Sequence, residues 1–226
     1  AASGSGAAGN SVKGIFQIGY TTGFTTTRDK YIYACDTVSA GAAAQRPNTS
    51  GTGAGNATKG VFTMAERNDG NGDTARDKYT YACDTSSSTT SASAKPRCGA
   101  AAGNTTRGIF ALGYQEYGAY YASANRDKYT YACDTSVSGA ASAYGSWGMA
   151  AAGNSTRGIF SVGSTNTSQN AGCRHVQREK YTYACDTNAA ATSGTATSLL
   201  GVATGNCTRG IFQLGITAAS GFCGTT

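Results

Sequence analysis

A chain of 226 residues with a net charge of +6 is basic only in balance, because charged residues make up just 13% of it. Such sparse charge argues against a nucleic-acid-binding stripe, and the lack of any apolar run of about 18 residues argues against a membrane-spanning helix. Glycine (32 residues) is plentiful and proline (2) scarce, which suits many short strands joined by tight turns.

The chain starts at Ala1 rather than at a methionine, which reads as a processed product or a fragment. Residues 1–9 are small and match the Ala-Ala-Ala-Gly-Asn stretches at 100–104 and 150–154, as expected of a strand crowded near a central axis. Gly4, Gly6 and Gly9 fit G-x-G-x-x-G, but a strand-like Gly-Ile-Phe run follows instead of a helix, so a dinucleotide site is not expected. Lys13 to Gly19 reads as a second strand, with Phe16 and Ile18 on one face and Ile15 on the other. Positions equivalent to Ile18 are Met64, Leu112, Val162 and Leu214, whereas those equivalent to Gln17 are Thr63, Ala111, Ser161 and Gln213. One face is therefore expected to be buried and the other mixed. A third strand carries Tyr31, Tyr33 and Cys35 on one side, and a fourth falls within Val38 to Gln45.

This cycle repeats. The phrase Arg-Asp-Lys-Tyr-Thr-Tyr-Ala-Cys-Asp-Thr begins at Arg28 (with Ile32 for Thr), Arg76, Arg126 and Arg178 (with Glu179 for Asp). Gly-Asn-x-Thr-Arg-Gly-Ile-Phe, with small variations, places its asparagine at Asn10, Asn56, Asn104, Asn154 and Asn206. A fixed period of this size marks a repeat architecture. From Asn10 to Arg28, Asn56 to Arg76, Asn104 to Arg126 and Asn154 to Arg178 the intervals are 18, 20, 22 and 24 residues, while all others are constant. Since strand side chains alternate with period two, adding residues in pairs lengthens a hairpin without inverting its faces. The variable connection is thus predicted to be a β-hairpin tip.

Four short antiparallel strands per repeat, with a glycine after the second (Gly19) and tyrosines in the third (Tyr31, Tyr33), resemble the kelch type of β-propeller. The Arg-Gly-Ile-Phe and Lys-Tyr-Thr-Tyr phrases are similar to the degenerate kelch-like repeats of phage virion and bacterial secreted proteins. Ordinary kelch repeats have a glycine pair where this chain has Ile18-Gly19, and a fourth-strand tryptophan that is missing here. The resemblance implies a single all-β domain, a kelch-like β-propeller with four full four-stranded blades plus a partial fifth. The blades would fall at about 1–46, 47–95, 96–142, 143–196 and 197–226. A five-bladed ring is expected, its last blade completed by Gly221 to Gly224 or by a neighbouring molecule.

In such a blade the invariant turns share one end and the variable hairpins the other, at Tyr20 to Thr27, Glu66 to Ala75, Tyr114 to Asn125 and Ser164 to Gln177. Repeat proteins place binding surfaces on the individual end. The third hairpin is the candidate ligand site, with Tyr114, Gln115, Glu116, Tyr117, Tyr120, Tyr121 and Asn125. Aromatic faces beside amides and carboxylates suit sugar rings, although cross-strand stiffening of a long hairpin is the plainer role. Trp147 is expected in the core. Asp69, Asn71 and Asp73 are a calcium candidate, but their spacing fits no EF-hand loop and a solvated turn is the simpler reading. His175 is the only histidine, so no zinc or haem site is expected, and no cofactor.

Cys35, Cys83, Cys133 and Cys185 share one repeat position and cannot reach each other, whereas Cys98, Cys173, Cys207 and Cys223 are individual. Cys173 with Cys223 is the candidate disulfide, suited to an oxidising compartment. Arg28, Asp29, Asp36 and their copies recur in every repeat, which favours strand-end ion pairs and turn caps over catalysis. The Asn-x-Thr sequons at Asn56, Asn104, Asn154 and Asn206 sit in a fixed turn, which favours backbone geometry over glycosylation. No nucleophile elbow, metalloprotease or phosphate-loop motif is present. The expected function is non-enzymatic recognition or adhesion, extracellular or on a virion surface, toward a glycan or surface protein, without nucleic acid or membrane insertion. The alternative is a structural subunit of a virion or filament that self-associates through its incomplete last blade.

Overall fold

The computed structural model describes residues 4, 6–67, 71–117, 119–165 and 174–215, with the side chains of 116–120 outside that description. These residues form an all-β structure. The first sheet holds β1 (Gly6–Gly9), β2 (Lys13–Gln17), β3 (Arg28–Ile32) and β4 (Thr37–Ala40) in chain order, every neighbour antiparallel. The second repeats it with β5 (Gly53–Gly55), β6 (Lys59–Thr63), β7 (Arg76–Thr80) and β8 (Thr85–Thr89). In the third, β9 (Ala100–Gly103) and β10 (Arg107–Ala111) are followed by a separate ribbon, β11 (Tyr114–Tyr117) and β12 (Ala119–Ala122), before β13 (Arg126–Thr130) and β14 (Thr135–Ser138). The fourth holds β15 (Ala151–Gly153), β16 (Arg157–Ser161), β17 (Arg178–Thr182) and β18 (Thr187–Ala191). The fifth is a pair, β19 (Val202–Gly205) and β20 (Gly210–Gln213).

The variable connections are hairpins whose pairing follows the stepwise lengthening. Their innermost bases are the cross-strand pairs Tyr20–Phe24, Glu66–Gly72, Tyr114–Ala122 and Ser164–Arg174, each bracketing two more residues than the one before. Among the described residues, only the third has enough ladder to form a ribbon of its own.

Two local expectations need correction. The third strand runs from Arg28 to Ile32, and Tyr33 to Asp36 form the turn that follows. Asp36, Asp84, Asp134 and Asp186 close these turns in the left-handed region, with φ between 49° and 55°, a conformation that aspartate tolerates. Cys35 and its copies therefore sit on exposed turns rather than on a strand face. The second strand is also buried on both faces in the inner repeats, since Val61, Phe62, Thr63 and Met64 are all fully buried. Each inner sheet is packed between two others, so neither face of its second strand meets water, whereas its fourth strand stays largely exposed.

Consecutive first strands pack together, β1 on β5, β5 on β9, β9 on β15 and β15 on β19. Their small residues permit this approach: a Cβ on Gly53 would lie 2.6 Å from the carbonyl oxygen of Ala7. Segments of all five repeats, including Ala7, Gly53, Ala101, Ala151 and Ala203, line one cavity of about 570 Å³. The cores lie between sheets rather than within them. Ile15 of the first sheet meets Phe62, Tyr79 and Tyr81 of the second, and Val61 meets Phe110, Tyr129 and Tyr131 of the third. This arrangement is compatible with a propeller-like fold. Among the described residues, however, no such packing joins β19 to β1, so the expected ring closure is not seen. Among the described residues no helix is long and apolar enough to cross a membrane.

Candidate functional site

The two ends of the sheets treat their polar groups differently. At the invariant end, the Oδ1 of Asn56 accepts the backbone N–H groups of Thr58 and Lys59 at 2.9 and 3.0 Å, and its Nδ2 donates to the carbonyl of Thr105 in the next repeat at 3.0 Å. Asn10, Asn104 and Asn154 do the same, toward Ala57, Ser155 and Cys207. Asn10, Asn56, Asn104 and Asn154 are thus turn caps that also stitch one repeat to the next, and Asn206 caps its own turn. Lys13 and Lys30 of the first repeat both bind Asp84 of the second, at 2.8 and 2.7 Å. Lys59 and Lys78 bind Asp134 in the same way, at 2.8 and 2.5 Å, and Lys128 binds Asp186.

Deeper in, each arginine of the repeated phrase reaches into the following sheet. Arg28 pairs with Asp77 at 3.2 Å, Arg76 with Asp127 at 2.6 Å and Arg126 with Glu179 at 2.5 Å. The same guanidinium groups lie over Phe62, Phe110 and Phe160, 4.6 to 4.7 Å from the ring centres. Desolvation pulls all three arginines below their ordinary range against the pull of their partner carboxylates. Burial likewise raises Asp77, although it accepts the Gln45 N–H and faces Arg28. These recurring polar residues are scaffold.

The variable end is assembled from the hairpins and the segments that connect successive sheets. Those segments are stitched to the hairpins by isolated pairs, for example Asn48 to Thr25, Thr49 to Glu66, Ser146 to Ser123 and Trp147 to Ser164. Of the expected ligand residues, Tyr114 and Gln115 are buried, Tyr121 is 38% exposed and Asn125 is exposed. The Tyr121 hydroxyl donates to Gln115 Oε1 at 2.8 Å. Gln115 Nε2 is buried with no hydrogen-bond partner among the described residues. Tyr114 packs edge-on against Trp147 at 6.0 Å, so it stiffens the hairpin rather than facing solvent. The side chains of Glu116, Tyr117 and Tyr120 lie outside the described residues.

Three further aromatics occupy this end. Tyr144, 43% exposed, stacks on His175 at 5.9 Å, and Tyr20 meets Phe24 at 5.5 Å. The His175 ring is held by Thr165 Oγ1 at 2.8 Å and Gln177 Oε1 at 3.0 Å. Trp147, expected in the core, is half-buried between a connecting segment and the third hairpin. Tyr144 was missed because it lies in a segment of constant length. The signal was available, since the equivalent positions Arg46, Ala94 and Ala196 share no chemistry with it.

Of the calcium candidates, Asp69 lies outside the described residues. Asp73 spends one oxygen on Arg46 at 2.9 Å and the other on the Ala75 N–H at 2.9 Å, which makes it a turn cap with its own cation. Asn71 is exposed. Cys173 and Cys223 lie outside the described residues, and the six cysteines within them are free thiols.

No protein-family model and no curated protein matches the sequence. The fold does find counterparts, with 150 matching chains among solved structures. One is the structure of YjhT, with a TM-score of 0.70 at 11% identity over 89% of this chain and 69% of that chain. The likeness speaks to fold alone.

Proposed function

We propose that the chain is a kelch-like β-propeller, four full blades and a partial fifth, serving as a non-enzymatic extracellular recognition module. Its variable end is the binding surface for a glycan or a glycan-bearing surface partner. The observation that carries this reading is the contrast between ends. The invariant end spends its asparagines, lysines and aspartates on neighbouring repeats, whereas the variable end presents Tyr20, Tyr121 and Tyr144 at 38 to 43% exposure. Beside Tyr121 the buried amide of Gln115 keeps a donor with no partner among the described residues, the polar complement that a sugar hydroxyl needs next to a stacking ring. Glu66 and Asp73, carboxylates at this end, each sit on an arginine, which suits anchoring better than proton transfer.

The test is binding to a glycan array, followed by titration of any hit against Tyr121→Ala and Tyr144→Ala. Loss of an exposed stacking ring should weaken binding at least tenfold, about 1.4 kcal/mol, with an unchanged melting temperature. A hit indifferent to both substitutions, or no hit on a broad array, would refute the assignment.

A further inference from the structure

Each complete repeat answers the one before it through its third and fourth strands and the turn between them, and among the described residues the fifth repeat offers no such answer. In the first three repeats the arginine, the third-strand lysine and the second-strand cation all find acceptors in the next sheet. Arg126, Lys128 and Arg107, for instance, reach Glu179, Asp186 and the carbonyl of Tyr183. The equivalents in the fourth repeat are Arg178, Lys180 and Arg157. Among the described residues none of them has a carboxylate or carbonyl partner, although Arg178 already lies over Phe212 at 4.4 Å.

The glycines tell the same story independently. In repeats one to four a cross-strand glycine pair lies beneath the tyrosine that opens the turn after the third strand: a Cβ on Gly55 or Gly60 would lie 2.8 Å from the Tyr81 hydroxyl, and Gly103 and Gly108 meet Tyr131 at 2.9 and 2.7 Å. At Gly205 and Gly210 the three nearest atoms among the described residues belong to Arg209, Gly210, Ala152, Phe212 and Thr204, and none to a tyrosine. Here Arg157 and Arg209 border an open cavity of about 370 Å³. The outer edge of β20 is unpaired among the described residues, and Ile211 is 69% exposed where Val61 and Ile109 are fully buried.

From this juxtaposition we infer that the outer edge of β20 is a docking site for one antiparallel β-hairpin carrying the chain's own phrase, Arg-Asp-Lys-Tyr-Thr-Tyr-Ala-Cys-Asp-Thr. Its first aspartate meets Arg178, its turn aspartate meets Lys180 and Arg157, its tyrosine covers Gly205 and Gly210, and its backbone extends the ladder of β20. Residues 216–226 contain neither an acidic side chain nor a tyrosine, so they cannot supply these groups. A folded second copy cannot either, because β3, β7, β13 and β17 are each paired on both sides within their own sheets. The inference is independent of the recognition reading at the variable end.

The probe is a fluorescent peptide with the sequence of Arg76 to Thr89, bearing Cys83→Ser, titrated into the 226-residue chain. Saturable one-to-one binding is expected, with slowed amide exchange at Gly210–Gln213. Asp77→Asn with Asp84→Asn in the peptide should weaken it at least tenfold, as should Arg178→Ala or Lys180→Ala in the protein. Neither Arg178 nor Lys180 has a hydrogen-bonded or ionic side-chain partner among the described residues, and Arg178 lies over the Phe212 ring, so both variants are expected to fold, which their circular dichroism and melting temperature check. The inference is overturned by any of four results. These are no saturable binding, binding indifferent to the peptide aspartates, binding only after removal of residues 216–226, or concentration-dependent protection of β20 by the chain alone.

Discussion

Arg76 shows how one side chain sets register between sheets. Its guanidinium is fully buried, paired with Asp127 at 2.6 Å, bonded to Ser136 Oγ at 2.9 Å and stacked on Phe110 at 4.7 Å. A buried pair recovers little more than its desolvation cost, whereas removing one partner leaves a stranded charge. Arg76→Ala should therefore cost about 3–5 kcal/mol, while Arg76→Met combined with Asp127→Leu should lie within about 1 kcal/mol of the parent. Urea unfolding of both variants and the parent decides it, and equal losses would show that the pair itself stabilises the fold. The shallower carboxylates govern the acid limit. Burial raises Asp84, but the hydrogen bonds and charges of Lys13 and Lys30 outweigh it and leave the group below its usual range. The same balance holds at Asp134 with Lys59 and Lys78, and at Asp186 with Lys128. A folded value below the unfolded value of roughly 3.9 means that the unfolded chain binds more protons. The stabilisation from these three is complete above that value and is lost as pH falls through the folded ones. Asp77, raised by burial, works in the opposite sense. The urea midpoint should fall between pH 5 and pH 3, and the combined Asp84→Asn, Asp134→Asn and Asp186→Asn variant should show a flatter profile.

At the scale of the element, the asparagine turn and the hairpin illustrate what the sequence shows and what it hides. Pairwise lengthening is a statement about two strands, so the hairpins at Tyr20–Phe24 through Ser164–Arg174 were legible before any coordinates. The partner of Arg28, which stands beside Asp29, was not. Their adjacency reads as local neutralisation, but strand neighbours point to opposite faces, and Arg28 crosses to Asp77 of the next sheet instead. Tyr114 and Tyr121 look alike in sequence, yet one rests on Trp147 and the other, bonded to Gln115, still reaches solvent, because they stand on opposite faces of the ribbon. The turn itself can be dissected. Asn104 Oδ1 accepts the N–H groups of Thr106 and Arg107 at 2.9 Å each, and Nδ2 donates to Ser155 O at 3.0 Å. Asn104→Asp keeps the acceptor and loses the link between repeats, a cost of about 1 kcal/mol. Asn104→Ala loses both, about 2 kcal/mol. Chemical denaturation should rank parent, Asp and Ala in that order, and parity of Asp with the parent would deny the link any energetic role.

Across the whole molecule, stability is a sum over neighbouring sheets, so identical residues differ in worth according to position in the series. The repeated phenylalanine makes the point. Phe62 and Phe110 are fully buried and Phe160 is 1% exposed, but Phe16 is 45% exposed, since among the described residues no arginine of another sheet lies over it. Tyr33, at 50%, differs from Tyr81, Tyr131 and Tyr183, at 2 to 3%, for the same reason. Phe110→Ala opens a cavity between two sheets and should cost about 3–5 kcal/mol. Phe16→Ala removes a ring already half in water and should cost about 1 kcal/mol, in proportion to the smaller area lost. Native-state hydrogen exchange should follow the same gradient. The amides of β6, β7, β10 and β13 should exchange only with global unfolding, whereas β19 and β20, with a neighbour on one side only, should open first. Uniform protection across all five repeats would mean that the molecule unfolds as one cooperative body, and the two phenylalanine substitutions would then no longer report position in the series.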